Sequence, residues 1–220
     1  GGGFGNFQQQ SIQPDFFFYD VNSKLTFTPT EKDVLALSLY AGEDKLDESA
    51  LGQEIAGQNG QTRLTPDRVD LSNWGNRGVS GRWSRAWGSR FTSDAMIAYS
   101  EYFSEASLDV ASTQFARGFL EDNQVTDFTA RIDNSWRLSQ ASDLRFGLQS
   151  TSSDVSYEFQ QLQGDSVRGG LNVGGTGMLN SAYAQHRWLP SDRIDVTLGL
   201  RASVYDQTDG TYWEPRASAQ

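Results

Sequence analysis

Apolar and polar side chains alternate one by one along most of this 220-residue chain. Residues 34–44 show the pattern: Leu35, Leu37, Leu39 and Ala41 interleave with Val34, Ala36, Ser38 and Tyr40. In 194–205, Ile194, Val196, Leu198, Leu200, Ala202 and Val204 oppose Asp195, Thr197, Gly199, Arg201, Ser203 and Tyr205. In 127–138, Phe128, Ala130, Ile132, Trp136 and Leu138 share a side broken only by Asn134. A period of two means strands with two unlike faces, and few segments carry a helical period. The chain is therefore all-β, and what covers the apolar face decides what it is.

The runs come in pairs: 15–28 with 34–44, 76–87 with 91–103, 124–138 with 144–159, and 180–188 with 194–205. Short polar hinges join the two members of each pair, at 29–33, at Gly88-Ser89-Arg90, at 139–143 and at 189–193. Between pairs lie polar stretches near 43–71, 105–122 and 160–177, which read as long loops. Short turns at one end and long loops at the other are the organisation of an up-and-down transmembrane β-barrel. A soluble sandwich distributes its loops over both ends and uses Greek-key crossings.

A large ring sits by each short hinge: Phe27, Trp87 with Phe91, Trp136, and Trp188. Such rings favour the membrane–water boundary, where an apolar body and a polar N–H or O–H are both accommodated. The opposite faces of the strands carry Asp127, Arg131, Asp133, Arg145, Arg201 and Arg216, which would face a watery lumen.

Composition removes other classes. Mean hydropathy is −0.56 and no run of about 18 apolar residues exists for a membrane helix. Barrel strands need only every second residue apolar, so they pass that test unseen. A net charge of −10 argues against nucleic acid as a partner. Without cysteine there is no disulfide framework and no thiolate metal site. The lone histidine, His186, has no second histidine to complete a metal site or catalytic pair. The glycine-rich run 169–177 lacks the lysine and flanking elements of a phosphate loop. Asp44, Asp47 and Glu48 lack the spacing of a calcium loop and read as a solvated acidic loop. We assign no catalytic residue, no metal and no cofactor, and read the chain as not an enzyme.

The run "FFFYDVNSKLTFTPTEKDVLALSLYAGEDKLDES" resembles a barrel segment of TonB-dependent outer-membrane receptors, where "FYDxNxKLxxxPxxKDxLxLSxYxGxDxL" is familiar. "WGNRGVSGRWSR" is similar to the strand that follows there, and "SAYAQHRWLPSDRIDVTLGLRASVYDQTDGTYWEPRASAQ" to "YAQDEWxLxxxLxLxxGLRxxxY...EPR". The matches run in order over roughly residues 15–220. His186 and Arg187 stand where the family often carries acidic residues.

The resemblance implies a barrel of about 22 strands with a plugged lumen, of which eight strands and the start of a ninth are counted here. It implies residues 1–14 as loop and 15–220 as partial barrel, with plug domain and C-terminal strands absent. It also implies bacterial outer-membrane lipid around the barrel, and the protein's own plug domain and a TonB-type energiser as partners. A small nutrient ligand, such as an iron chelate, vitamin or oligosaccharide, would bind the outer loops. The charged residues named above become plug-contact candidates. Two other architectures fit the alternation: a small complete eight-stranded barrel with a pore or adhesion role, and a secreted soluble carbohydrate-binding β-protein with its leucine faces packed on a second sheet.

Overall fold

The computed structural model describes residues 14–56, 62–191 and 193–220. The expected N-terminal loop, 1–14, lies outside them apart from Pro14. Nine strands form one antiparallel sheet in which every neighbour is the next long strand in the chain. They are β1 (Asp15–Thr30), β2 (Asp33–Asp47), β5 (Asp67–Ala86), β6 (Phe91–Ala111), β7 (Ala116–Ser139), β8 (Ser142–Gln163), β9 (Ser166–Ser191), β10 (Ile194–Tyr205) and β11 (Thr211–Ala219). A small hairpin, β3 (Glu54–Ala56) with β4 (Thr62–Leu64), stands between β2 and β5. Strands β1 and β11 are the two edges and do not pair with each other, so the sheet is open. That excludes a closed eight-stranded barrel formed by the described residues.

The expected short hinges at 29–33, 88–90 and 139–143 hold tight turns; that at 189–193 includes Asp192, which lies outside the described residues. Two of the expected long loops are mostly strand, and the third is strand at both ends. β6 and β7 run to residues 111 and 116 and meet in a four-residue turn, and β9 begins at Ser166, directly after a turn at Gly164. Gly164 adopts φ +57°, a left-handed conformation that a Cβ would resist. The glycine-rich run 169–177 is β-strand, paired with β8 from Gln161↔Gly169 to Ser153↔Gly177. Of the stretch 43–71, residues up to 47 and from 67 onward belong to long strands. The reason is physical: pairing is made by backbone groups, whereas alternation appears only where one face meets something apolar. Where neither face meets anything apolar, the pairing continues while the alternation disappears.

The register carries one apolar row across the whole sheet: Phe27, Leu35, Trp83, Ala95, Ile132, Leu148, Ala182, Ala202 and Trp213. The apolar belt does not stay on that row. In β1 it runs from Phe27 up to Phe17; in β10 it runs from Val204 down to Ile194, eight residues below Ala202. It thus descends about one residue per strand over seven steps, which with ~4.8 Å between strands and ~3.3 Å per residue gives a tilt of about 38°. Transmembrane barrels tilt their strands by about 35–45°. Along β10 the ten-residue rise from Ile194 to Val204 then spans about 25 Å, the height of a barrel's lipid-facing band.

No second layer covers this belt. Among the described residues no apolar side chain is buried; Leu198, Leu200 and Ile132 are 57%, 46% and 37% exposed. A sandwich core among the described residues is thereby excluded. The polar face is the more enclosed one: along β7, Glu121, Asn123, Val125, Asp127, Thr129 and Asp133 are half-buried, while Asp122, Gln124, Phe128, Ile132 and Trp136 are exposed. Crowding on that side is what the inner surface of a curved sheet produces.

Candidate functional site

The six charged residues singled out in the sequence all lie on the polar face. At the level of the belt, Asp94 and Asp133 are direct cross-strand partners. Like charges in that position repel, and two arginines one row away answer them. Arg82 Nε lies 2.6 Å from Asp94 Oδ1, and Arg131 Nε lies 2.7 Å from Asp133 Oδ2. Ser84 Oγ also donates to Asp94. Tyr183, two strands away on β9, donates its hydroxyl to Asp133 Oδ1 at 2.7 Å.

The remaining candidates are spread along the same face. Asp127 accepts from Ser153 Oγ at 2.5 Å. Arg201 donates to Ser203 Oγ at 3.3 Å and lies 3.8 Å from Glu214, and Arg216 lies 3.4 Å from the same carboxylate. Arg145 makes no salt bridge among the described residues. The structure therefore brings Arg131 and Asp133 together and places Arg201 and Arg216 around Glu214. Asp127 and Arg145 stand apart. Sequence reading missed Arg82, Asp94 and Tyr183; strand parity would have placed all three on this face.

The opposite face has two polar boundaries. At the short-turn end, Asp33 accepts from Thr30 Oγ1, from Trp83 Nε1 at 3.0 Å and from Arg85 at 3.0 Å. The Arg85 guanidinium sits 4.6 Å over the Trp87 ring, and Trp87 meets Trp83 edge-on at 6.2 Å. Trp87 Nε1 donates to Ser93 Oγ, which donates on to Asn134 Oδ1 at 2.7 Å. Phe91 and Trp136 pair edge-to-face at 6.4 Å. All five expected interface rings, Phe27, Trp87, Phe91, Trp136 and Trp188, lie on this apolar side near the short turns. At the other boundary, Arg77 grips Glu101 with two nitrogens, at 3.0 and 2.6 Å, and Tyr99 and Gln124 donate to the same carboxylate. Beyond it, Lys45 hydrogen-bonds Glu43 at 3.0 Å and holds that carboxyl below the usual carboxylate range.

Two further expectations are placed by the same parity. Asp44 and Asp47 are on opposite faces and so diverge. His186 lies on the apolar side with Nε2 2.7 Å from Ser142 Oγ.

No protein-family model and no curated protein sequence matches the chain. Solved structures do. The RagAB peptide transporter superposes with a TM-score of 0.69 at 10% identity, over 94% of this chain and 30% of that one. The copper transporter OprC gives 0.61 at 11% identity, over 94% and 34%. FpvA of P. aeruginosa, bound to heterologous pyoverdines, gives 0.61 at 8% identity, over 94% and 33%. The chain spans about a third of the length of each of these three structures. It has the fold of a partial TonB-dependent receptor barrel.

Proposed function

We propose that these strands form part of the barrel of a TonB-energised receptor in a bacterial outer membrane, importing a small nutrient. The apolar belt faces acyl chains, and the polar face lines a lumen occupied by the protein's own plug domain. Asp127, Arg131, Asp133, Arg145, Arg201 and Arg216, with Arg82 and Asp94, meet that plug through water and paired charges. Phe27, Trp87, Phe91, Trp136 and Trp188 form the girdle at the periplasmic boundary. The observation that carries this reading is the drift of the belt across the register rows, which a sheet packed on protein has no reason to show at a barrel's tilt angle. The superposition on transporters of this architecture supports it.

The chain contains no cysteine, so single cysteines report cleanly. In outer-membrane vesicles, Leu198→Cys should resist a membrane-impermeant maleimide after the vesicles are opened, while Arg201→Cys should react. Equal labelling of the two positions would defeat the proposal.

A further inference from the structure

Past the Arg77–Glu101 boundary, the inner face changes character. Trp74 on β5 and Tyr102 on β6 are diagonal neighbours, since Asn76 pairs with Tyr102 and Trp74 with Ser104. Further along the sheet, Phe119 of β7 and Phe159 of β8 stack at 6.0 Å, and Tyr157 lies two residues from Phe159 along β8. All five rings are half-buried. Between the two aromatic groups β7 presents Glu121 and Asn123, register partners of Phe159 and Tyr157. Asp44 of β2 stands directly opposite Trp74. Asp44 and Glu121 make no hydrogen bond or ion pair among the described residues; the arginines of this face, Arg117 beyond Phe119 and Arg68 paired to Asp70, lie outside the two carboxylates. The ledge from β5 to β8 is about 14 Å wide at ~4.8 Å per strand.

We infer that this ledge is the ligand-recognition surface of the lumen mouth, and that it takes an organic cation carrying a ring-bearing or apolar body. The inference rests on the barrel reading and adds a substrate class to it. Aromatic faces attract a cation through their quadrupole and cover its apolar body at the same time. Two uncompensated carboxylates at the rim add attraction for positive charge and repel anions, so an anionic chelate is the wrong partner. Sequence reading followed the apolar faces of the strands and so passed over Tyr102, Tyr157 and Phe159 on the other side, while Phe119 and Glu121 fell in a stretch taken for a polar loop. Only strand parity brings Trp74, Tyr102, Phe119, Tyr157 and Phe159 onto one face.

The test uses the protein purified from outer membranes in detergent, with three probes in a calorimeter: the peptide Arg-Phe-Arg amide, its Glu-Phe-Glu counterpart, and maltotriose. Binding of the arginine peptide alone is expected, weakening with added salt and falling about tenfold in the double variant Asp44→Asn, Glu121→Gln. Absence of binding by the arginine peptide, preference for either other probe, or unchanged affinity in the double variant overturns the assignment. Heat-modifiable gel migration is followed in parallel. A protein without it refutes the barrel reading on which the ledge depends. A heat-modifiable protein that ignores the arginine peptide refutes the ledge alone.

Discussion

Tyr183 on β9 reaches across β8 to donate its hydroxyl to Asp133 on β7, 2.7 Å away, and the position it crosses is Gly147. A Cβ at Gly147 would lie 2.7 Å from Tyr183 Cε1, 2.8 Å from Asp133 Oδ1 and 2.5 Å from the Ile132 carbonyl oxygen. The missing side chain is thus the gap through which three strands are tied together. Gly147→Ala should displace the ring and destabilise the folded sheet by about 1–3 kcal/mol, the range for overpacking. Tyr183→Phe removes only the hydrogen bond and should cost about 1 kcal/mol. Urea unfolding in lipid vesicles reads both; a Gly147→Ala variant as stable as the parent would show that the ring moves freely.

How far this arrangement is legible in the sequence depends on what each face meets. The four hinges and the belt strands are readable because a one-sided apolar face imposes alternation on Leu35, Leu37 and Leu39, or on Leu198 and Leu200. The extensions at 105–111, 116–122 and 166–177 are not, because water on both sides imposes no period on them. Asp133 and Arg131 could be assigned to the polar face by parity alone. Their link to Tyr183 could not, since it depends on which residue of β9 faces Gly147, and register is fixed by backbone pairing over the whole strand.

The outer boundary of the belt turns on Glu101, which is 6% exposed and accepts from Arg77, Tyr99 and Gln124. Removing one partner of such a pair leaves the other charge unmatched. Arg77→Ala and Glu101→Ala should each destabilise the sheet. The double variant should cost less than their sum. Vesicle unfolding of the four proteins completes the cycle; additive losses would mean the pair is only a surface contact.

Five of the six tryptophans, Trp83, Trp87, Trp136, Trp188 and Trp213, lie on the apolar side, and Trp74 lies on the inner face. Lipids brominated along the acyl chains should therefore quench single-tryptophan proteins retaining Trp87, Trp136 or Trp188. The protein retaining only Trp74 should keep its emission, and instead respond to aqueous iodide. Quenching of Trp74 by brominated lipid would place the ledge outside the barrel.

The belt itself yields the strongest contrast, between neighbours on one strand. Leu200 sits near the middle of the β10 belt, whereas Arg201, the next residue, points to the polar face beside Ser203 and Glu214. An arginine at a lipid-facing midplane position of a barrel costs about 2–4 kcal/mol. Leu200→Arg should lose about that much in vesicle unfolding, while Thr197→Arg, on the polar face of the same strand, should change stability by less than about 1 kcal/mol. Equal losses at the two positions would mean that the two sides of β10 meet the same medium, and the lipid assignment of the leucine face would fall with that result.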